Sequence, residues 1–202
     1  MNGILVICCD HKNLLMIKEV LFKLKSQNIF YVENIDKAKK MMLEQHFELI
    51  IVDSTLSSKN YIDFVKNVIK VTNSQVLLML KSEFYENIAY ELEQMGIYTL
   101  PKPYNRTTLF NVLRMCSVSI RNINKVKNEI NKLQKRLVAL KLVNQAKLIL
   151  IQKFNMDEDE AHHFIEKKAM DYQTTKIIIA KKIILIMTYT LKICYNNFEV
   201  ML

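Results

Sequence analysis

The stretch Leu49-Ile50-Ile51-Val52-Asp53 is an unbroken apolar run that ends in a carboxylate. A short run without polar alternation is typical of a strand that is buried on both faces of a parallel sheet. Similar runs lie on both sides of it and are separated by stretches of helical periodicity. The predicted strands are residues 4–7, 29–32, 49–52, 76–80 and 98–100, and the predicted helices between them are residues 14–24, 35–45, 61–71 and 88–95. The pattern predicts an α/β, doubly wound, five-stranded parallel sheet with its site at the carboxyl ends of the strands.

Ionisable and polar side chains stand in the sequence where these strands end. They are Cys8, Cys9 and Asp10 after the first strand, Asp53 after the third, Lys81 and Ser82 after the fourth, and Lys102 with Pro103 after the fifth. Asp53 with the Lys102-Pro103 pair resembles the receiver domain of response regulators, here predicted at residues 1–120. In that family the Asp accepts a phosphoryl group, an acidic pair after the first strand holds Mg²⁺, and the Lys contacts the phosphoryl oxygens.

The sequence departs from the receiver pattern in three places. Cys8 and Cys9 stand in place of the acidic pair, Lys81 in place of a Ser or Thr, and Thr99 in place of an aromatic residue. Because Mg²⁺ prefers oxygen ligands, and because Lys81 is placed to pair with Asp53, we expect a degenerate receiver that is not phosphorylated. The alternative is a slip of one residue, with Asp10 as a metal ligand and Ser82 as the hydroxyl.

The positive charge of the chain lies entirely in its second half. Residues 104–202 carry 17 Lys or Arg against eight Asp or Glu, whereas residues 1–103 carry twelve Lys and twelve Asp or Glu. Both Gly and both Pro residues also precede residue 104. The chain therefore joins a neutral half with turns to a basic half without helix breakers, and such a basic half is typical of a polyanion binder.

Apolar residues recur at steps of three and four from Leu109 to Leu140, as in a coiled coil with one stammer near Ile123. They are Leu109, Leu113, Cys116, Ile120, Ile123, Val126, Ile130, Leu133, Leu137 and Leu140. We expect one helix from about Arg106 into the Lys153 region, with a coiled-coil linker at residues 106–140 that forms a parallel homodimer. The alternative is a seam that packs only within one chain.

The remaining sequence predicts a three-helix bundle. Asn155-Met156 ends the long helix, Asp157 and Glu160 have the spacing of a capping box, and a polar turn at residues 172–175 precedes a third helix. The motifs at residues 146–150, 157–161, 167–170 and 179–184 resemble the ANTAR domain, an RNA-binding antiterminator module, here predicted at residues 125–190. Leu148, where the family usually has Gly, and residues 176–178 depart from its pattern.

The resemblance implies that the protein binds paired RNA hairpins in a leader transcript and so prevents a terminator hairpin from forming. Lysines would contact phosphates, and Tyr172 would stack on a loop nucleotide. The candidate RNA-binding residues are Arg136, Lys141, Gln145, Lys147, Lys167, Lys168 and Tyr172. We expect neither enzyme activity nor a cofactor. We expect no metal site either, since adjacent helical residues such as His162 and His163 diverge too far to share an ion.

We expect a cytoplasmic protein, because the chain shows no signal peptide and its cysteines show no metal-site spacing. Lysines interrupt the apolar residues 177–194, so no membrane span is expected there. Two other functions stay open. One is a DNA-binding response regulator, and the other is a protein-interaction adaptor whose coiled coil docks a sensor protein.

Overall fold

The computed structural model describes the backbone of residues 2–54 and 61–199, and the side-chain surroundings of residues 3–54 and 61–188. The chain divides into two compact units, Met1–Lys125 and Val126–Leu202. The side chain of Cys194, which closes the apolar segment considered above, lies outside the described residues. Within the part of the chain that the structure describes, we find no helix that is long and apolar enough to span a membrane.

The first unit contains a five-stranded parallel sheet in the order β2-β1-β3-β4-β5, which confirms the predicted architecture. The strands are β1 (Asn2–Ile7), β2 (Gln27–Val32), β3 (Leu49–Asp53), β4 (Gln75–Lys81) and β5 (Tyr98–Lys102). The helices between them are α1 (His11–Lys23), α2 (Ile35–Glu44), α3 (Tyr61–Val71) and α4 (Ser82–Gln94).

Strand β3 lies at the centre of the sheet, between β1 and β4, and all five of its residues are buried. Its side chains alternate between two separate apolar cores, because successive residues of a strand point to opposite faces. Ile50 and Val52 belong to the core that includes α2, α3 and α4 residues, and Leu49 and Ile51 belong to the core that includes α1 residues. Two covered faces explain why the decisive stretch is apolar without interruption.

The predicted long helix is α5 (Arg106–Phe154), a single helix of 49 residues. The first four positions of its seam are buried in the core of the first unit, beside β1, β3 and α1 residues: Leu109, Leu113, Cys116 and Ile120. The expectation that these four positions form a coiled coil is therefore wrong. Apolar residues spaced three and four positions apart form one stripe along a helix. Such a stripe can pack on a sheet as well as on a second helix.

The second unit is a three-helix bundle built from the end of α5, α6 (Glu158–Asp171) and α7 (Lys176–Glu199). Its core is made largely of small and aliphatic residues: Ala146, Leu150, Ala161, Ile165, Ala169, Ile179 and Ala180. The predicted capping box is confirmed. The Asp157 carboxylate accepts a 2.7 Å hydrogen bond from the Glu160 backbone N–H, and the Glu160 carboxylate accepts a 3.0 Å bond from that of Asp157.

Candidate functional site

The carboxylate of Asp53 is fully buried at the carboxyl end of β3. The single thiol proton of Cys8, just beyond β1, has two acceptors in reach, Oδ2 of Asp53 at 3.4 Å and the backbone carbonyl of Asp10 at 3.3 Å. Asn13 of α1 donates its amide to Oδ2 of Asp53 at 3.1 Å. The ammonium group of Lys102, at the end of β5, pairs with Oδ1. Both carboxylate oxygens of Asp53 therefore have partners from the protein itself.

The charge of Asp53 acts on the neighbouring acidic groups. Burial, followed by the negative charge of Asp53, raises the pKa of the Cys8 thiol to about 12. Burial and the same charge raise the pKa of the Tyr104 phenol, whose hydroxyl donates to the sulfur of Met79 at 3.0 Å. Cys8 and Tyr104 therefore stay neutral at pH 7, and Lys102 provides the positive charge that balances Asp53.

Lys81 does not take the place expected for it. It is the N-cap residue of α4, its side chain is half exposed, and its Nζ lies 3.8 Å from Oε1 of Glu83 in the first turn of that helix. The ammonium group that pairs with Asp53 is that of Lys102, so the expected Lys81–Asp53 pair is wrong. Ser82 donates its hydroxyl to the backbone carbonyl of Lys102, and Cys9 is exposed.

The Mg²⁺ that the receiver resemblance implies does not fit these residues. The Asp10 carboxylate accepts a 2.9 Å hydrogen bond from the Lys12 backbone N–H as the N-cap of α1. Cys8 presents a neutral thiol, and Mg²⁺ prefers charged or carbonyl oxygens. Within the described part of the chain, no group of three or more His, Cys, Asp or Glu side chains has the arrangement of a metal site.

In the second unit, Lys147 lies beside the first turn of α6. Its Nζ is 2.8 Å from Oε1 of Glu158, and its side chain is only 16% exposed, while that of Glu158 is 77% exposed. The hydrogen bond from Lys147 lowers the pKa of Glu158. The Lys147 side chain is thus mostly buried, and its ammonium group is paired with an acid that solvent can reach.

The other end of α6 carries a cluster of cations and aromatic rings. The Lys168 Nζ lies 5.9 Å from the ring centroid of Phe164 and 6.0 Å from that of Tyr172. The Lys182 Nζ, from α7, lies 5.6 Å from the Tyr172 centroid. We call Lys168, Tyr172 and Lys182 the Tyr172 cluster. The cluster lies about 20 Å along α6 from Glu158 in its first turn, since an α-helix rises 1.5 Å per residue.

The structure thus places the seven predicted RNA-binding residues at three positions of the second unit. Arg136, Lys141 and Gln145 are exposed along α5, Lys147 lies further along α5 beside the first turn of α6, and the last three lie near the end of α6. These last three are Lys167, Lys168 and Tyr172. Sequence reasoning missed Asn13, Glu158 and Lys182, because their partners are distant in the sequence.

The model of the ANTAR domain matches residues 131–184. The chain carries an ANTAR domain. Over 137 residues, the chain is 23% identical to the transcriptional regulatory protein PdtaR of Mycobacterium tuberculosis, covering 68% of this chain and 67% of that protein. Over 98 residues it is 34% identical to the aliphatic amidase regulator of Pseudomonas aeruginosa, covering 46% of this chain and 47% of that regulator.

The fold of the first unit is that of a receiver domain. The response regulatory domain of protein mrkE from Klebsiella pneumoniae superposes with a TM-score of 0.53 at 10% identity, covering 60% of this chain and 99% of that domain. Cys8 and Cys9 stand at the positions where the receiver pattern has an acidic pair. The ANTAR domain follows it in the same chain.

Replacing Lys102 by Met tests the ion pair at Asp53. This change leaves a buried carboxylate without its cation, so we expect the free energy of unfolding of the first unit to fall by about 3–5 kcal/mol. Hydrogen exchange of β3 and β4 peptides in the full-length protein reports on this unit. The double variant Lys102→Met/Asp53→Asn has no buried charge and should recover most of the loss. Equal protection in wild type and Lys102→Met would contradict the pairing.

Proposed function

We propose that this protein is an RNA-binding regulator of transcription antitermination. It binds hairpins in leader transcripts as a dimer, under the control of a receiver-like unit that is not phosphorylated. The observation that supports this most is the position of the ANTAR match, residues 131–184, within the basic half of the chain. Residues 121–153 alone carry nine basic residues against one acid, Glu129.

A gel shift at fixed salt distinguishes this function from the alternatives. The two probes are a leader RNA that folds into two hairpins and duplex DNA of the same sequence. An antiterminator binds the folded RNA more tightly than the DNA. A DNA-binding response regulator gives the reverse order, and an adaptor protein binds both probes weakly and loses them as salt rises, because only nonspecific charge attraction acts.

The absence of phosphorylation follows from the partners of Asp53. Phosphoryl transfer requires a free carboxylate oxygen and a cation that neutralises the approaching phosphoryl donor. Lys102, which pairs with Oδ1 of Asp53, is the Lys that the receiver family itself uses, so this pair does not oppose phosphorylation. Oδ2, however, lies within hydrogen-bond distance of Cys8 and Asn13. No acidic pair is present beside them to hold Mg²⁺, since the corresponding positions are Cys8 and Cys9.

Incubation with acetyl phosphate and Mg²⁺ should therefore leave the mass of the intact protein unchanged. A phosphorylatable receiver domain in the same reaction shows that the donor is active. A phosphoryl adduct on the wild type that disappears in Asp53→Asn would contradict the proposal.

The dimer is supported by an apolar stripe on α5. Six residues continue the heptad spacing beyond the buried positions, and each is between 40% and 61% exposed: Ile123, Val126, Ile130, Leu133, Leu137 and Leu140. Exposed apolar stripes of this kind mark association surfaces. A coiled coil covers such a stripe with the same stripe of a second chain.

Light scattering of the wild type should give about twice the chain mass of 23.8 kDa. The variant Leu133→Asp/Leu137→Asp should be monomeric, because four carboxylates would enter the apolar seam at a cost of several kcal/mol each. The control variant Asn128→Asp/Asn131→Asp adds the same charge on the outer face of the same helix and should stay dimeric. A monomeric wild type at micromolar concentration would count against the coiled coil.

Lys147 is the RNA contact that the ANTAR resemblance supports most. Its ammonium group is held at the start of α6 by Glu158, whose own side chain is mostly in solvent. A phosphate can take the place of that exposed carboxylate, because both groups offer anionic oxygens to the same cation. Glu158 would then leave Lys147 when RNA binds.

Lys147→Ala should weaken hairpin binding and lower the slope of log affinity against log salt by roughly 0.7–0.9. Glu158→Gln is the matched control, since it removes the same ion pair but keeps the cation. We expect it to bind hairpin RNA at least as tightly as the wild type. If both variants lose affinity equally, the ion pair stabilises the bundle and Lys147 does not contact RNA.

A further inference from the structure

The Tyr172 cluster combines an accessible aromatic ring with two cations from different helices. Tyr172 is 64% exposed at the end of α6, and the ammonium groups of Lys168 and Lys182 lie 6.0 and 5.6 Å from its ring centroid. Two ammonium groups this close to one ring repel each other, and the negative face of the ring offsets part of that repulsion. The cluster is therefore a concentrated positive surface around a flat ring.

The packing of α6 against α7 brings these side chains together. Ala169 lies three residues before Tyr172 and Ala180 two residues before Lys182, and both alanines are buried in the core of the bundle. Small residues at a helix contact allow a short distance between the axes. Lys182 comes next to Tyr172 for this reason, although ten residues separate them in the sequence.

We propose that Lys168, Tyr172 and Lys182 form a binding site for one unpaired nucleotide of an RNA loop. The phenol ring stacks on the base, and the two ammonium groups contact the phosphates on either side of it. This site deepens the proposed RNA-binding function and rests on it.

The chemistry of the cluster selects this ligand. An aromatic ring can stack on any base that is not already stacked on a neighbouring base, and lysines beside the ring contact the phosphate backbone. Proteins bind single-stranded nucleic acids in this way. A base within a duplex presents no free face to the ring. A protein partner fits less well, because lysine is depleted in the cores of protein interfaces.

One acid accompanies the cluster. Oδ2 of Asp171 lies 4.0 Å from the Lys168 Nζ, and both side chains are partly exposed. Exposed pairs at this distance contribute little stability, so a phosphate can displace Asp171 from Lys168. Lys168 and Lys182 are therefore both available to contact phosphates.

A tryptophan at position 172 tests the stacking directly. The chain has no Trp, so Tyr172→Trp gives a single indole fluorophore at the site. Titration with a leader hairpin should quench its fluorescence, because a stacked base quenches an indole. The same hairpin with abasic loop residues should bind without quenching. Binding of the intact hairpin with no change in fluorescence would overturn the proposal.

Alanine variants test the cation and the ring separately. Lys182→Ala should lower the salt slope by roughly 0.7, the value for one contact to a single strand. Lys181→Ala, an exposed neighbour on the same helix, is the matched control and should bind like the wild type. Tyr172→Ala should lose roughly tenfold in affinity or more, while Tyr172→Phe, which keeps the ring, should retain it.

These results separate the site from the function on which it rests. A wild type that does not prefer hairpin RNA to duplex DNA overturns the RNA-binding function and the site together. A wild type with that preference, combined with Tyr172→Ala and Lys182→Ala variants that bind like Lys181→Ala, overturns this site alone. Circular dichroism of each variant confirms that the bundle is intact.

Discussion

Asp53 is a buried carboxylate, and the negative charge of such a group has to be balanced by cations or hydrogen-bond donors of the protein. Lys102 balances its charge, while the Cys8 thiol and the Asn13 amide occupy its second oxygen. The receiver family also carries this Lys, but its acidic pair holds Mg²⁺, and Cys8 and Cys9 stand in place of that pair here. If the first unit is not phosphorylated, as we propose, it keeps the receiver fold without the phosphoryl switch. Regulation would then come from a partner, a ligand or RNA.

A single periodicity in α5 has two different consequences. Its first four apolar positions complete the core of the receiver-like unit, and the next six are exposed in the single chain. The exposed part lies in a strongly basic stretch. Repulsion between the basic stretches of two chains opposes dimer formation unless burial of an apolar seam offsets it. The dimer that we propose would present two ANTAR domains at once. Binding of two hairpins would then gain affinity from the link between the domains rather than from new contacts.

The sequence predicted the elements that local chemistry determines. Short runs rich in apolar residues located all five strands, and the Asp157–Glu160 spacing located the start of α6, since capping needs only neighbours in the chain. It did not decide which lysine pairs with Asp53, because Lys81 and Lys102 lie side by side at the ends of adjacent strands. In the structure Lys81 lies 3.8 Å from Glu83 in the first turn of α4, and Lys102 pairs with Asp53. Lys182 was missed because its place beside Tyr172 depends on helix packing.

The RNA that co-purifies with the full-length protein tests RNA-directed control most directly. The protein is purified from cells at moderate salt, and the bound RNA is sequenced against total RNA and folded. We predict enrichment of leader transcripts in which two adjacent hairpins overlap a terminator, and loss of that enrichment in Lys147→Ala. Bound RNA with the same composition as total RNA, or enrichment of duplex DNA fragments instead, would contradict an antitermination function.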